Sequence, residues 1–434
     1  MSKLRYSFST DYMVLLPHNA GPIEVLLLLL SPKIGRNRAV GCFTHTKEGS
    51  FARRLAMLFN LLLQILLHSL VGPVATLGTA IEFAINLVDN ILHGRLEHPN
   101  KSSAMYRSIT GFFDRNVDLD GSIEPSDKQF DSALCMRASK LAYENEAFIR
   151  NVVTRHWKME FVRFFNCKNE FQSACTAQAF VFCDKAVDPD LVVVAYRGTR
   201  PFDMARWCAD LDPSWYEILN LGLVPATLTQ ALGVQPNVGL PKWVETKCEE
   251  VELVYAYYTI RDTVKKLLDE NKKARLLVTG HGSGGVLASL FESILKFHNE
   301  TLILERLAGV YMYPSGKTWP CSAIHFLHFG IGRDFNKTDT SKVQQQIQGK
   351  ETSSSILDFV RSWINWVWKL GHGVYKGYKC VSNIPGGWLL LLMRVFALVL
   401  PVLPFHWVRN YISGVLLRGY IPNLARGMAW YHRK

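Results

Sequence analysis

Six consecutive residues, Gly280-His281-Gly282-Ser283-Gly284-Gly285, bring a hydroxyl, an imidazole and four glycines together at a spacing suited to acyl transfer. In a G-x-S-x-G elbow the flanking glycines let the chain turn sharply from strand to helix, and the middle residue projects its hydroxyl beyond the strand end. The helix N-terminus behind it favours developing negative charge. A phosphate-binding loop uses the same strand, glycine turn and helix, but the Lys-Ser/Thr of a P-loop is absent here. Reading Ser283 as the nucleophile requires the frame His281-Gly282-Ser283-Gly284-Gly285, which sets a bulky imidazole where the turn wants glycine. The alternative for Ser283 is a helix N-cap.

The elements that must hold this motif alternate around it. AQAFVFCDKA and DLVVVAYRGT read as strands from their β-branched and aromatic content, with the turn VDPD between them. Residues 244–271 are helix-forming, ARLLVTGHG is a short buried strand, GGVLASLFESILKF is an amphipathic helix, and LAGVYMY is another strand. That order predicts a largely parallel sheet with helical crossovers. Residues 102–157 read as a helical lead-in.

The 434-residue chain has 48% hydrophobic and 12% aromatic residues and a net charge of +12, a composition that makes lipid contact worth testing. A nucleic-acid binder would show a basic stripe and a reading motif, and neither is present. The nine cysteines are an odd set without C-x-x-C pairs or zinc-like spacing, so they are expected as reduced thiols, and no metal or cofactor is expected. MSKLRYSFST lacks the layout of a secretory signal, so the sequons at Asn100, Asn299 and Asn336 are not expected to be glycosylated.

Leu55 to Ile81 carries no charged residue and is interrupted by Gly72-Pro73. A re-entrant or monolayer hairpin turning at that pair fits best, with a simple span and a buried soluble helix pair as alternatives. Arg53 and Arg54 would meet the headgroups. The stretch Gly387 to Trp407, with Arg394 inside it and Pro401 and Pro404 near its end, reads as interfacial. Residues 353–370, with Trp363, Trp366 and Trp368 at helical spacing, suit either a helix packed on the domain or membrane docking. The expected organisation is an N-terminal region 1–100, a core 101–340 shortened after 313, and a C-terminal helical region 341–434.

GHGSGGVLA resembles the class 3 (fungal-type) lipase signature G-H-S-L-G-G followed by A-L-A. LVVVAYRGTRPFD resembles the V-A-F-R-G-T strand end of that family, RWCADLDPSWYEI its D-W-x-x-D segment, and ERLAGVY with HFLHFG follows as in plant oil-body triacylglycerol lipases. The resemblance runs from about Phe130 to the C-terminus. It implies an α/β-hydrolase fold, to which the apolar stretches read above add membrane-associating segments at both ends, a triacylglycerol or related acyl-ester substrate, and Thr199 as an oxyanion-hole donor by its N–H and hydroxyl. The alternative for Thr199 is a turn residue capping the strand. Trp207 and Asp210 match positions that shape the following segment and read as structural.

The departures from that pattern bear on activity. Alignment on the glycine pair puts Gly282, which has no side chain to attack an ester, at the nucleophile position, with Ser283 one residue later. No Asp occurs between Asp269 and Asp334, so the acid is unassigned. His406 lies where plant members carry a late histidine and is the candidate base, a structural histidine being the alternative; His281, His325 and His328 are poorer candidates. The family's H-G-G-F stretch aligns with Pro225-Ala226-Thr227-Leu228. Two readings follow. One is an impaired lipase using Thr199, Ser283 and His406; the other is a non-catalytic protein of the lipid-droplet or reticulum surface, on the cytoplasmic face.

Overall fold

A computed structural model describes residues 9–43, 47–95, 97–113, 117–119, 130–169, 172–218, 222–233, 241–242 and 255–313. His406, His325, His328, the Trp-rich stretch 353–370 and Gly387 to Trp407 lie outside the described residues. Nine strands are present among the described residues: β1 (Ser9–Leu15), β2 (Val40–Cys42), β3 (Glu160–Asn169), β4 (Gln172–Cys183), β5 (Leu191–Tyr196), β6 (Trp215–Ile218), β7 (Gly222–Pro225), β8 (Arg275–His281) and β9 (Leu307–Tyr313). They form a five-stranded sheet in the order β3-β4-β5-β8-β9 and a four-stranded sheet in the order β2-β1-β6-β7.

The larger sheet is mixed rather than largely parallel. β5, β8 and β9 run parallel, whereas β3, β4 and β5 are antiparallel neighbours. The tight turn through Val187-Asp188-Pro189-Asp190 makes β4 and β5 a hairpin, and a hairpin can only be antiparallel. All six residues of β5 are buried, and strand alternation divides them between two cores. Val192, Val194 and Tyr196 join Leu276, Val278, Leu287 and Phe291 under the helices Ala256–Glu270 and Ser283–Phe297. Val193 and Ala195 join Phe180, Phe182, Leu277 and Ile149 under the helix Phe130–Leu141 and its successor Glu146–Asn151. A sheet covered on both faces needs strands without polar alternation, which is why LVVVAY reads as continuous hydrophobic sequence.

The second sheet weaves the N-terminus into the rest. β1 pairs with β6 through Met13↔Trp215, and the Leu15 N–H donates to Ser214 Oγ at 2.8 Å.

Phe51–Leu92 is one continuous helix of 42 residues with Pro73 inside it, so Gly72-Pro73 does not turn the chain. Proline removes one backbone donor. The carbonyl left over is that of Ser69, which faces solvent as Gly72 and Pro73 do, so water can bond it. Packing on either side holds the two halves in line. Met57 and Leu61 join Met13, Leu15, Leu28 and Ile34; Leu67 joins Met204, Trp207 and Cys208; Asn86 bonds the Arg107 carbonyl and N–H at 2.8 and 2.9 Å. The opposite face stays open. Phe59, Leu62, Leu66, Leu70, Leu77, Val88 and Ile91, spaced by threes, fours and their sums, are exposed, Phe59 by 60% and Leu77 by 51%. By length and composition this helix is apolar enough to cross a membrane.

Candidate active site

β5 and β8 are parallel neighbours in register Tyr196↔Gly280, so the loop after one and the turn after the other leave the sheet at the same carboxyl edge. Ligands of open α/β sheets bind at that edge. β8 ends at His281, the chain turns at Gly282, and a 15-residue helix starts at Ser283. Gly282 has φ +59° and ψ −128°, a region that residues with a Cβ enter only under strain. Its N–H donates to the Tyr313 carbonyl at 2.8 Å, tying the corner to β9. A methyl group on Gly284 would sit 2.5 Å from the Tyr196 carbonyl oxygen and 2.8 Å from the Arg197 carbonyl carbon, so helix and β5 approach backbone to backbone.

Thr199, in the loop after β5, meets Ser283 at this corner, with 2.8 Å between the two hydroxyl oxygens. Thr199 Oγ1 also donates to Asp210 Oδ2 at 2.5 Å. Asp210 comes from the helix Met204–Leu211, which is capped by Asp203 accepting from the Arg206 N–H at 3.1 Å. Trp207 Nε1 bonds the Arg200 carbonyl at 3.1 Å, and Thr227 Oγ1 bonds the Ala209 carbonyl at 2.9 Å. The segment therefore has few ways to shift. Burial raises the Asp210 carboxyl to about 6, against the lowering effects of Arg206 and of hydrogen bonds from Thr199 and Ser283 and a further rise from Asp203.

The structure brings Thr199, Gly282 and Ser283 together. It adds Asp210, whose sequence context suggested only a structural role; the R-W-x-x-D spacing was the available signal, but nothing local says that the carboxyl points at Thr199. Ser283 bonds a hydroxyl and a carboxyl. Its hydroxyl does not cap its own helix: the residue at the N-cap position is Gly282, with no side-chain cap. His281 is buried, and its Nδ1 lies 2.9 Å from the Tyr143 hydroxyl. Burial raises the Tyr143 phenol well above its ordinary value, the nearby Asp210 adding to that rise. Pro225-Ala226-Thr227-Leu228 crosses from β7 into the short helix Ala226–Ala231. Among the described residues no three His, Cys, Asp or Glu side chains converge as a metal site.

As a set, these groups can donate to an acyl oxygen. Ser283 opens a helix whose N-terminal amides favour negative charge, and two hydroxyls stand beside it. They cannot by themselves form a covalent acyl intermediate at position 282, where no side chain exists.

The class 3 lipase family model matches residues 193–317, the stretch that holds Thr199, Asp210, Gly282 and Ser283. The chain is similar to proteins named triacylglycerol lipase OBL1 from three plants. It is 29% identical to the Nicotiana tabacum protein over 80% of each chain, and 26% identical to the Arabidopsis thaliana protein over 94% of this chain and 95% of that one. With the Ricinus communis protein it shares 33% identity over 56% of this chain and 57% of the relative. Among solved structures, a fungal lipase–inhibitor complex superposes over 48% of this chain and 70% of its own at 15% identity and a TM-score of 0.30. A Rhizomucor miehei lipase propeptide complex does so over 49% and 60% at 17% identity and a TM-score of 0.30.

Proposed function

We propose that this chain, similar to plant triacylglycerol lipases, is a lipid-metabolism protein of the triacylglycerol lipase type, impaired in hydrolysis because Gly282 occupies the nucleophile position. The observation that carries this is the corner itself: Gly282 turns from strand to helix at φ +59° and ψ −128°, where a nucleophile elbow holds its reactive side chain under strain. Ser283 begins the helix one residue later and bonds Thr199. Its hydroxyl belongs to the hole that would hold an acyl oxygen. Losing a triad nucleophile costs about 10⁶ in kcat, leaving roughly 10³–10⁴ over water from oxyanion donors and binding. Incubated with a fluorophosphonate probe, the folded protein should show no adduct at Ser283. Emulsified triacylglycerol should give no turnover that Ser283→Ala removes. A Ser283 adduct would overturn the impaired reading.

The exposed stripe on Phe51–Leu92 favours a second, compatible reading, in which the protein acts at the surface of lipid droplets or of the reticulum on its cytoplasmic side. The helix has one face on protein and one apolar face open, the arrangement of a helix that lies in an interface rather than spanning it. Deleting the segment would also remove Met57, Leu61 and Leu67 from the core, so surface charges test the idea more cleanly. Leu62→Asp, Leu66→Asp and Leu77→Asp together should weaken flotation with droplets a hundredfold or more, since each buried leucine is worth about 1.5–3 kcal/mol. The melting temperature should hold. A triple variant that folds and floats like the parent would refute this helix as the main anchor.

A further inference from the structure

Pro22–Leu30 is a nine-residue helix of sequence PIEVLLLLL. Its one charged residue, Glu24, turns its carboxyl back to accept from the Gly21 N–H at 3.2 Å. One side of the helix belongs to the core: Leu28 is buried with Ile34, Met57 and Leu61, and Val25 packs against them. The other side is Ile23, Leu26, Leu27 and Leu30, exposed by 43–70% and spaced i, i+3, i+4 and i+7, so they line one stripe. Arg54, which the sequence suggests for the headgroups, is buried and holds this helix in place. Its guanidinium donates to the Leu28 and Leu29 carbonyls at 3.2 and 2.7 Å. Those bonds dock the end of Pro22–Leu30 on the first turn of Phe51–Leu92, where the exposed Phe51 ring lies 5.6 Å from Arg54.

The loop that follows carries charge. Lys33, Arg36 and Arg38 are exposed, whereas Ile34, Asn37 and Ala39 among them are buried. Asn37 Nδ2 donates to the Glu24 carbonyl at 2.7 Å, so the loop folds back beside the helix and brings Arg36 and Arg38 with it. Between residues 21 and 54 the basic residues are Lys33, Arg36, Arg38, Lys47, Arg53 and Arg54, and the acidic ones are Glu24 and Glu48 alone. Lys47 is paired with Asp11.

We propose that Pro22–Leu30 and the loop 31–38 form a docking surface for anionic phospholipid, the leucine stripe entering the acyl layer and Lys33, Arg36 and Arg38 meeting the headgroups. The inference extends the surface-acting reading of Phe51–Leu92 and stands apart from the acyl-ester corner. An apolar helical stripe edged by basic residues is the composition of helices that lie in a bilayer interface. A protein partner fits less well, because interfaces between proteins are carried by Trp, Tyr and Arg anchors and leucine is under-represented among them. Each basic residue close to an anionic surface strengthens binding about fivefold, so three give roughly a hundredfold. Salt screens that gain, whereas the contribution of the leucines does not depend on it.

Flotation of the full chain is measured with vesicles of phosphatidylcholine alone and of phosphatidylcholine with about one third phosphatidylserine. The parent should bind the anionic vesicles about a hundredfold more tightly, and about 0.5 M salt should remove most of the difference. Lys33→Gln, Arg36→Gln and Arg38→Gln together should abolish the preference and leave binding to phosphatidylcholine unchanged. Leu26→Gln with Leu30→Gln should weaken binding to both vesicles about a hundredfold or more, the effect of withdrawing two leucines from the acyl layer. All five side chains are exposed, so both variants should melt with the parent. Equal binding of the two vesicles by the parent, an unchanged preference in the folded triple variant, or unchanged binding by folded Leu26→Gln/Leu30→Gln overturns the proposal. A chain that is dimeric without lipid and made monomeric by Leu26→Gln/Leu30→Gln overturns it in favour of a second copy on the stripe. Each of these results leaves the reading of Phe51–Leu92 standing, which the variant at Leu62, Leu66 and Leu77 decides by itself.

Discussion

Gly284→Ala should lower stability by about 4 kcal/mol or more, enough to leave little folded protein. The added methyl would meet the Tyr196 carbonyl oxygen at 2.5 Å and the Gly198 nitrogen at 2.9 Å. These are backbone atoms at the end of a strand buried on both faces, so neither they nor the helix can yield without opening the sheet. Gly72→Ala supplies the contrast. Nothing lies within 4 Å of the position, and alanine in an exposed helix interior is favoured over glycine by about 0.5–1 kcal/mol, so that variant should melt slightly higher. A Gly284→Ala protein that melts within a degree or two of the parent would mean that helix and β5 are not in backbone contact.

On the proposed reading that the parent does not react with fluorophosphonates, Gly282→Ser should give a protein labelled at residue 282, the largest functional change expected from one substitution. The new hydroxyl would stand at the corner, beside the donors at Ser283 and Thr199. On the proposed reading that the acid orienting the base is missing, turnover of triacylglycerol should remain about 10⁴ below that of an intact triad. No Asp occurs between Asp269 and Asp334 to supply it. The substitution should also cost about 1–3 kcal/mol, since serine is strained at φ +59°. If labelling does not appear in folded Gly282→Ser protein, the position is not that of a nucleophile.

The sequence made the central elements legible because each has a clear hydrophobic pattern of its own. LVVVAY, RLLVTGH and LAGVYMY are strands, and the helix after the glycines runs from Ser283 to Phe297. The second sheet was not legible. VGC, WYEI and GLVP are strands of three or four residues, too short to show a period. Their pairing, like that of β1 with β6, is set by tertiary contacts rather than by local propensity. Sheet direction was overestimated as parallel because the strand, helix, strand order around β8 does not describe the β3-β4-β5 half. At the corner, the glycine spacing pointed to Ser283 and the family resemblance to Gly282 and Thr199, and the structure sets the three side by side. The Asp210 contact escaped because it depends on the angle at which the helix Met204–Leu211 returns to the strand end. The proline in Phe51–Leu92 misled for a related reason: its local cost is offset by packing at Leu67 and Asn86 that the segment does not advertise.

The pairing of β1 with β6 also governs the order in which a newly made chain can complete itself. Met13 and Trp215 are partners, and a ribosome adding about 5–20 residues per second needs roughly 10–40 s to make the intervening two hundred or so residues. Until Ile218 has emerged, Ser9–Leu15 has no partner in β6, and Leu15 cannot bond Ser214. The leucine-rich helix Phe51–Leu92 has by then been outside the ribosome for most of that time, without Met204, Trp207 and Cys208 to cover Leu67. Synthesis thus presents the apolar helix to the cell well before the segment that covers one of its faces. Whatever meets the nascent chain first, lipid or chaperone, meets both faces of that helix together.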